Sequence, residues 1–404
     1  MKIGIDARMY GPGQGGLGRY IEQLIIHLEK IDMSNNYVVF LRRDNFDNYR
    51  PQNPKFKKVL ADIAWYGVAE QFKLKKIIRR EKVDFMHFPH WNVPLGYNDP
   101  FVVTVHDLIL LHYPTRRAST KGFFTYWFKN FIWKLVLKNA VKKSIKIITP
   151  SEFTKQDLIK TLNVPADKIS VTCLAPTPQL NGIQPPVILS EAKRSEESLS
   201  GHELGQRSFA VAQDDKTSTV LKNYKITKPY LLYVGVAYPH KNLETLLAAW
   251  KIFMEKFGTG YQLVLAGKKN YFYERLIKLV AKEKINNVIF TDFIPDQDLP
   301  ALYQNASLYV FPSLYEGFGL PPLEAMSYNL PVASSAASCL PEILKDAAIF
   351  FDPHDKIAMA QAINLGLNDQ NLRQKLLENG QKLLKTYSWN KTAAKTLNLY
   401  QNSV

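Results

Sequence analysis

Two acidic side chains in residues 312–335 (PSLYEGFGLPPLEAMSYNLPVASS) have the type and spacing that could bind a sugar nucleotide. Glu316 lies among glycines in a loop after a predicted strand. Glu324 follows after seven intervening residues and is expected in the first turn of a helix that opens with Pro321 and Pro322. A carboxylate accepts hydrogen bonds from a diol, and amides at a helix N-terminus donate to phosphate oxygens. The stretch therefore predicts two carboxylates that hold sugar hydroxyls beside a phosphate. For Glu324 alone, a glutamate that merely favours the helix dipole is the alternative.

A lysine and a histidine in two other segments could serve the same chemistry. Lys241 (AYPHKNL) lies between a predicted strand and a predicted helix, so its ammonium could reach a phosphate at that helix N-terminus. His106 and Asp107 end a buried-strand pattern (FVVTVHDLILLHYP), and polar residues at the carboxyl ends of parallel strands face a ligand cleft. A solvated surface lysine and a satisfied core histidine are the alternatives.

The glycines of residues 9–20 (MYGPGQGGLGRY) match the Gly-x-Gly-x-x-Gly pattern of nicotinamide dinucleotide sites. That site needs its first glycine almost directly after a strand, but Gly13 comes seven residues after Asp6, where the first strand is expected to end. The spacing disfavours the dinucleotide. It favours a flexible loop whose Gly15 and Gly16 amides approach a diphosphate near a helix start.

Two further patterns resemble metal sites only superficially. Asp296 and Asp298 form an Asp-x-Asp sequence, but it precedes a predicted helix, where an acid is expected to cap the first turn. His87 and His90 (HFPH) have a spacing that does not favour two ligands from one strand. We therefore expect no metal site and no cofactor apart from a substrate.

The elements that must position these residues alternate between strands and helices. Strand patterns occupy residues 2–6, 37–41, 83–88, 101–106 and 145–149, then 230–234, 261–266, 287–290, 307–311 and 331–333. Helical periodicity marks residues 20–28, 69–80, 124–141, 243–257, 273–283, 299–305 and 322–328. This alternation predicts an α/β protein with two Rossmann-like, doubly wound parallel-sheet domains that face a cleft.

The domains are expected at residues 1–178 and 227–404, with the last helix as a candidate for packing back on the first domain. Residues 179–226 are polar and aperiodic, and they are predicted to be a partly disordered linker or insertion. The composition, 46% hydrophobic and 22% charged, is that of a globular protein. The two cysteines do not suggest a disulfide framework, so a cytoplasmic setting is expected.

Further segments, in chain order, carry a family resemblance: GGLGRY, HFPHWNVP, TVHDL, ITPSEFTKQDL, YVGVAYPHKNLETLL, IPDQDLPALYQNASLYVFPS and LPEILKDAAIFFDPHD. Together with the Glu-x7-Glu spacing of Glu316 and Glu324, they make the chain resemble the retaining GT-B enzymes of glycosyltransferase family 4. The resemblance covers nearly everything except residues 179–226. HFPHWNVP and TVHDL resemble bacterial mannosyltransferases of surface-polysaccharide assembly.

The resemblance implies transfer of a hexose, with mannose favoured, from a nucleotide diphospho-sugar to a saccharide or lipid-linked acceptor, with retention and without a metal. It implies an acceptor-binding first domain and a donor-binding second domain. The catalytic residues it implies are His106, Lys241 and Glu316. The donor contacts it implies are Gly15, Gly16, Lys241, Ile294, Glu316, Gly317, Phe318, Gly319, Leu320 and Glu324.

Two points of mechanism stay open at the level of sequence. Glu316 could act as the nucleophile of a double displacement, whereas the family implies a front-face substitution in which the leaving phosphate helps to deprotonate the acceptor. Many relatives carry an arginine directly after the strand glycine, but here Gly235 is followed by Val236. His240 or another cation is the candidate replacement for that charge.

The formal net charge of +16 favours phosphate-rich partners. Residues 123–146 interleave aromatics with lysines, and residues 73–82 add a second basic face, so an anionic membrane surface on the cytoplasmic side is one hypothesis. An ordinary helix with a lysine-rich outer face is the alternative. Nucleic acid is disfavoured because no zinc-finger spacing, RNP signature or basic arm appears. No signal peptide or membrane-spanning run is expected.

Three other functions fit parts of the sequence. A sugar-nucleotide epimerase on the same fold would need no acceptor, so product analysis without acceptor separates it from a transferase. A non-catalytic nucleotide-sugar or membrane-binding module is disfavoured by the intact candidate residues. A nicotinamide enzyme would bind its cofactor in a fluorescence titration.

Overall fold

The computed structural model describes residues 1–114, 123–176 and 219–403, and strands alternate with helices throughout them. The first half contains β1 (Lys2–Asp6), β2 (Asn36–Leu41), β3 (Phe56–Leu60), β4 (Phe85–Phe88), β5 (Phe101–Thr104), β6 (Lys146–Thr149) and β7 (Ile169–Val171). Its helices are α1 (Gly15–Ile31), α2 (Lys75–Arg80), α3 (Ile109–His112), α4 (Phe123–Lys143) and α5 (Glu152–Leu162), with a π-helical turn (Glu70–Leu74) directly before α2.

The second half repeats the alternation. Its strands are β8 (Tyr230–Val234), β9 (Gln262–Ala266), β10 (Val288–Asp292), β11 (Leu308–Phe311), β12 (Val332–Ser335) and β13 (Ile349–Phe351). Its helices are α6 (Leu243–Phe257), α7 (Tyr271–Lys282), α8 (Leu299–Asn305), α9 (Leu320–Ser327), α10 (Leu340–Leu344), α11 (Lys356–Asn368), α12 (Gln370–Leu384) and α13 (Trp389–Gln401).

Each half forms one parallel sheet. The strand order is β3-β2-β1-β4-β5-β6-β7 in the first domain and β10-β9-β8-β11-β12-β13 in the second. In both, the order reverses beside the first strand of the domain, and ligands of such sheets bind outside the carboxyl ends of the strands at that point. The predicted α/β architecture of two doubly wound domains is confirmed.

The central strands form because their apolar runs are buried on both faces, as parallel sheets require. All residues of β5 and all residues of β9 are buried. Helix α1 covers the first sheet with one apolar stripe, in which Tyr20, Leu24 and Leu28 are buried at a spacing of four residues.

Three strands were not predicted from the sequence, and all three are edge strands. β3, β7 and β13 lie at ends of the two sheets. An edge strand is covered less completely and carries a weaker apolar signal: β3 includes Lys57 and Lys58, while β7 and β13 are three residues long.

The chain between the domains differs in part from expectation. Most of residues 179–226, the expected linker, lies outside the described residues. Val220 and Ile226, however, are buried in the hydrophobic core, so the packed second domain includes residues before 227. Helix α13 returns to the first domain and packs against α1, where the Tyr400 hydroxyl is joined to His87 Nδ1 by a 2.6 Å hydrogen bond.

Candidate active site

A cleft of about 430 Å³ separates the carboxyl ends of the two sheets. Both domains line it, and eight of the residues expected from the sequence meet there: Gly16, His106, Lys241, Glu316, Gly317, Phe318, Gly319 and Leu320. Three other expected donor contacts lie outside this lining. Gly15 is the first residue of α1, Glu324 lies deeper along α9, and Ile294 is buried in the core of the second domain.

Lys241 and Glu316 form an ion pair in the second-domain wall of the cleft. The Lys241 Nζ lies 2.5 Å from Glu316 Oε1, and both side chains are largely buried. Lys241 ends a short 3₁₀ turn that connects β8 to α6, and Glu316 lies in the loop between β11 and α9. The two chain segments are thus fixed to each other by one charged contact beside the open space.

The loop after β11 leads directly into a helix whose N-terminus borders the cleft. Helix α9 begins at Leu320, and the prolines fall in its opening turn as predicted. Gly319 is its N-cap with a φ of 85°, in the left-handed region that favours glycine. Glu324 is the fifth residue of α9 rather than a first-turn residue. The sequence placed the helix start too late, at Pro322.

Glu324 faces an arginine from the other domain. Arg19 Nη1 of α1 lies 3.7 Å from Glu324 Oε1, and Arg19 Nη2 lies 3.0 Å from Asp296 Oδ1. The Tyr303 hydroxyl donates to Glu324 Oε2 at 3.5 Å. Burial raises the pKa of Glu324, and Arg19 acts in the opposite direction. The carboxylate expected at a ribose is therefore paired across the domain boundary.

His106 forms the opposite wall, at the end of the strand pattern. Its Nε2–H donates to the carbonyl of Pro89 at 3.0 Å, because a carbonyl can only accept. Burial lowers the pKa of His106 to about 4, so the ring is neutral at pH 7 and its Nδ1 is a hydrogen-bond acceptor. The ring of Tyr20 packs edge-on against it, with centroids 4.7 Å apart.

Asp107 contributes a carboxyl group to the same wall. Its Oδ1 accepts a 3.0 Å hydrogen bond from the Ile109 amide at the start of α3. The pKa of Asp107 is raised to about 6, chiefly by burial; the Ile109 hydrogen bond and the Lys241 charge oppose the increase, and the Glu316 charge adds to it. Asp107 therefore titrates closer to neutral pH than an ordinary aspartate.

The glycines of residues 11–18 have different structural roles. Gly15 has a φ of 64° at the first position of α1, and Gly16 borders the cleft. The Gly11 amide donates to the Gly18 carbonyl at 3.2 Å, and a Cβ on Gly18 would collide with the Gly11 carbonyl oxygen. The last glycine of the pattern thus serves the close fold of this loop onto α1.

Two expectations from the sequence are wrong: a replacement cation at His240 and a helix cap formed by the Asp298 side chain. His240 does not supply a second positive charge, because burial and, to a lesser extent, the neighbouring Lys241 charge lower its pKa to about 4. Asp298 occupies the N-cap position of α8, but its side chain makes no capping hydrogen bond and instead accepts from the Tyr224 hydroxyl at 3.0 Å.

Two further features of the described residues are the arrangement of side chains that could bind metal and the length of apolar helices. Among residues 1–114, 123–176 and 219–403, no group of three or more His, Cys, Asp or Glu side chains is arranged to hold a metal ion. His87 is buried and His90 is half-buried, and desolvation lowers the pKa of each to about 3. No helix in the part of the chain that the structure describes is long and apolar enough to cross a membrane.

Sequence reasoning left some site residues without a role. Arg19 was visible in GGLGRY, but nothing local indicates that it meets residues about 300 positions away. Tyr66 and Trp91 also line the cleft, and aromatic character alone does not separate a cleft wall from a core. Of these residues and Asp107, only Asp107 could have been assigned to the site from the sequence, because it directly follows His106 at the end of a predicted strand.

Comparison with known proteins divides the chain at the same place as the fold. Residues 14–173 match the model described as Glycosyltransferase Family 4, and residues 218–383 match the model described as Glycosyl transferases group 1. The O-antigen chain mannosyltransferase B of Escherichia coli is 29% identical over 325 residues, which cover 80% of this chain and 75% of the relative.

A second relative and a solved structure also resemble this chain. The O-antigen chain mannosyltransferase RfbU of Salmonella typhimurium is 25% identical over 304 residues, covering 75% of this chain and 70% of that protein. HepE from Anabaena, solved in complex with UDP and glucose, matches with a TM-score of 0.71 at 14% identity and covers 100% of both chains, which supports the fold. This chain is a glycosyltransferase of the GT-B fold, with a family 4 first domain and a group 1 second domain.

Proposed function

We propose that this enzyme transfers mannose from a nucleotide diphospho-sugar to a saccharide or lipid-linked acceptor, with retention of the anomeric configuration and without a bound metal. The Lys241–Glu316 pair beside the N-terminus of α9 carries the proposal. It puts a cation for a phosphate and a carboxylate for sugar hydroxyls in one wall of the cleft. The names of the two mannosyltransferase relatives support mannose as the sugar.

The leaving diphosphate would be stabilised from both domains. Lys241 supplies a full positive charge, and the amides at the start of α9 and at Gly16 supply hydrogen-bond donors. Preorganised charge of this kind, aimed at a developing negative charge, is often the largest catalytic contribution. Glu316, which is paired with Lys241, would then accept from hydroxyls of the donor sugar.

His106 would orient the donor sugar from the opposite wall. Its Nε2–H is already used by Pro89, so its Nδ1 is the atom that accepts from a sugar hydroxyl. In a front-face substitution, the bond from the anomeric carbon to the phosphate oxygen breaks as the bond to the acceptor oxygen forms on the same face. The acceptor proton passes to the leaving phosphate. Proton NMR of the fresh product tests retention, and an inverted anomeric signal would refute it.

The ribose hydroxyls would bind Glu324. This carboxylate faces Arg19, which also contacts Asp296 at 3.0 Å. Ribose would therefore share or replace one of the two contacts of Arg19, while Asp296 keeps the other. Ile294, in the core below, would position the base only through its backbone.

An acceptor at the cytoplasmic face of an anionic membrane fits the exposed side of α4. Phe131, Ile132 and Leu135 are exposed there, and Lys138 and Lys142 follow on the same helix. Exposed apolar groups and lysines on one helix are the features of interfacial membrane binding. Flotation with anionic liposomes at low salt tests this. Protein that stays at the bottom of the gradient would contradict it.

A thermal-shift screen against GDP-, UDP- and ADP-sugars tests the donor class. A ligand at 100 times its dissociation constant adds about 2.7 kcal/mol to the folded state, which shifts the unfolding midpoint measurably. A GDP-mannose shift, followed by transfer in the presence of EDTA, supports the full proposal. Conversion of the donor sugar without any acceptor would favour the epimerase instead.

A further inference from the structure

The first-domain wall of the cleft contains an aromatic side chain in an unusual position. Tyr66 lines the cleft, yet its side chain is 58% exposed. It lies in a turn before the π-helical segment that precedes α2. A large aromatic ring that is open to solvent inside a concave site has an unsatisfied apolar face, which is the kind of surface that ligands cover.

The backbone of Tyr66 is strained. Its φ is 60°, in the left-handed region, which costs a residue with a Cβ about 1 kcal/mol. Glycine would adopt the same conformation without that cost, and the next residue in the chain is a glycine. Strain of this kind persists where the surrounding structure fixes it, and it concentrates at functional sites.

A buried polar cluster fixes this turn. The Tyr66 amide donates to Glu70 Oε2 at 2.9 Å, and Glu70 is completely buried. Arg8 Nη2 donates to Glu70 Oε1 at 2.6 Å, and Asn92 Nδ2 lies 2.8 Å from both carboxylate oxygens. Arg8 is also paired with Asp6 at the end of β1. Buried ion pairs add little net stability, so a role in holding the turn accounts for this cluster better than a role in stability.

The surroundings of Tyr66 leave its outer face free for a ligand. The ring centroids of His90 and Trp91 lie 6.1 and 5.9 Å away and support it from the protein side. Trp91 is itself buried and packs on Trp133. Across the same cleft lie Lys241 and Glu316, where the reacting centre of the donor is proposed. A molecule that covers Tyr66 therefore stands on the acceptor side.

We propose that Tyr66 is the stacking platform for the acceptor, and that the acceptor is a neutral saccharide whose pyranose ring lies with its C–H face on the tyrosine ring. A hydroxyl of that sugar then points across the cleft toward the Lys241–Glu316 pair. Glu70 is a positioning residue, because it acts only through the Tyr66 amide. The inference rests on the proposed transferase function and adds the chemical class and the location of the acceptor.

The test compares Tyr66→Ala, Tyr66→Phe and Tyr66→Gly in initial-rate assays with GDP-mannose saturating and methyl α-mannoside varied. Loss of the ring raises the KM for the mannoside about tenfold in Tyr66→Ala and in Tyr66→Gly, whereas Tyr66→Phe stays within about twofold of wild type. Tyr271→Ala removes an exposed tyrosine outside the cleft and is the matched control, with no change expected.

Two further measurements separate binding from folding and from donor effects. Both Tyr66→Ala and Tyr66→Gly lack the ring, but only glycine relieves the backbone strain. Tyr66→Gly therefore unfolds at a higher temperature than Tyr66→Ala, while its KM for the acceptor is raised as much as that of Tyr66→Ala. The dissociation constant for GDP-mannose is unchanged in all three variants. Saturation-transfer NMR shows one face of the mannoside ring contacting wild type, and this signal is absent in Tyr66→Ala.

An unchanged mannoside KM in Tyr66→Ala, or equal saturation transfer in wild type and Tyr66→Ala, overturns the platform. Weakened GDP-mannose binding in Tyr66→Ala also overturns it, because Tyr66 would then belong to the donor side. Transfer by wild type to a sugar-free lipid phosphate but not to the mannoside refutes the saccharide class. Wild type that binds and cleaves no nucleotide sugar refutes the proposed function itself, which is a different result from any of these.

Discussion

Replacing Asp107 by asparagine should make the folded protein more stable above pH 6 and leave its stability at pH 4 nearly unchanged. The substitution keeps an oxygen that can accept from the Ile109 amide, as the aspartate does at 3.0 Å. It removes a half-buried carboxylate that is repelled by the charge of Glu316. The change is therefore almost purely one of charge.

The magnitude and sign follow from the pKa. Burial raises the pKa of Asp107 from 3.8 to about 6, and one pKa unit corresponds to about 1.4 kcal/mol. The folded state holds this proton more tightly than the unfolded state. The aspartate's contribution is thus fully present below pH 3.8 and is lost as the pH rises to about 6. Over that window wild type loses about 3 kcal/mol relative to Asp107→Asn at most, or about 6 °C in the unfolding midpoint.

Thermal unfolding of both proteins at pH 4, 5, 6, 7 and 8 measures this difference. Asp99→Asn is the control of opposite sign, because the Arg79 hydrogen bond lowers the pKa of Asp99 and its carboxylate favours the folded state. If Asp107→Asn matches wild type at every pH, Asp107 is not desolvated in the folded protein. If it is less stable than wild type at pH 8, the electrostatic attraction to Lys241 outweighs burial, and the reasoning fails.

Three further changes test the site and the domain boundary. Lys241→Ala should lower kcat by about 10²–10³-fold, because it removes the positive charge that stabilises the leaving diphosphate. Lys251→Ala, on the exposed side of α6, is the control and should leave kcat unchanged. Near-normal turnover in Lys241→Ala would remove Lys241 from the mechanism. Glu324→Gln should weaken GDP binding in calorimetry more than it lowers kcat, and equal GDP affinity would contradict the ribose contact. Deleting residues 185–218 should leave thermal unfolding cooperative, and a broad, non-cooperative transition would show that this segment supports the fold.

The fold was predictable because its central strands carry continuous apolar runs and its helices carry one apolar stripe. The bounds of α6 and α8 were predicted to the residue, since each lies between clear breaks in periodicity. Three of the four edge strands were missed because a strand with one neighbour needs less apolar sequence, as the lysines of β3 illustrate. The local sequence pattern therefore identifies the central strands of each sheet better than the edge strands.

The site was predictable only where chemistry and position coincide in one short segment. Glu316 and Lys241 were recognisable from their loops, and the structure brings them within 2.5 Å. Arg19 could not be connected with Glu324 from the sequence, because their contact arises from the way two domains meet. The strain at Tyr66 was equally invisible, since the glutamate that holds it follows four residues later and looks like an ordinary helical residue.

The loop that carries Glu316 depends on both domains, and Gly317 shows why. A Cβ on Gly317 would collide with the carbonyl oxygen of His106, so only glycine allows the second-domain loop to lie this close to the first-domain wall. The Gly317 carbonyl in turn accepts from the Ser151 hydroxyl at 2.6 Å, at the N-cap of α5.

Glu342 adds a second contact to the same helix end, where it accepts from the Glu152 and Phe153 amides at 2.8 and 2.9 Å. These two orphan amides at the start of α5 in the first domain are satisfied by a carboxylate of the second domain. Separation of the domains would therefore release the loop of Glu316 together with the wall of His106. The position of Glu316 opposite His106 consequently depends on the contacts between the two domains.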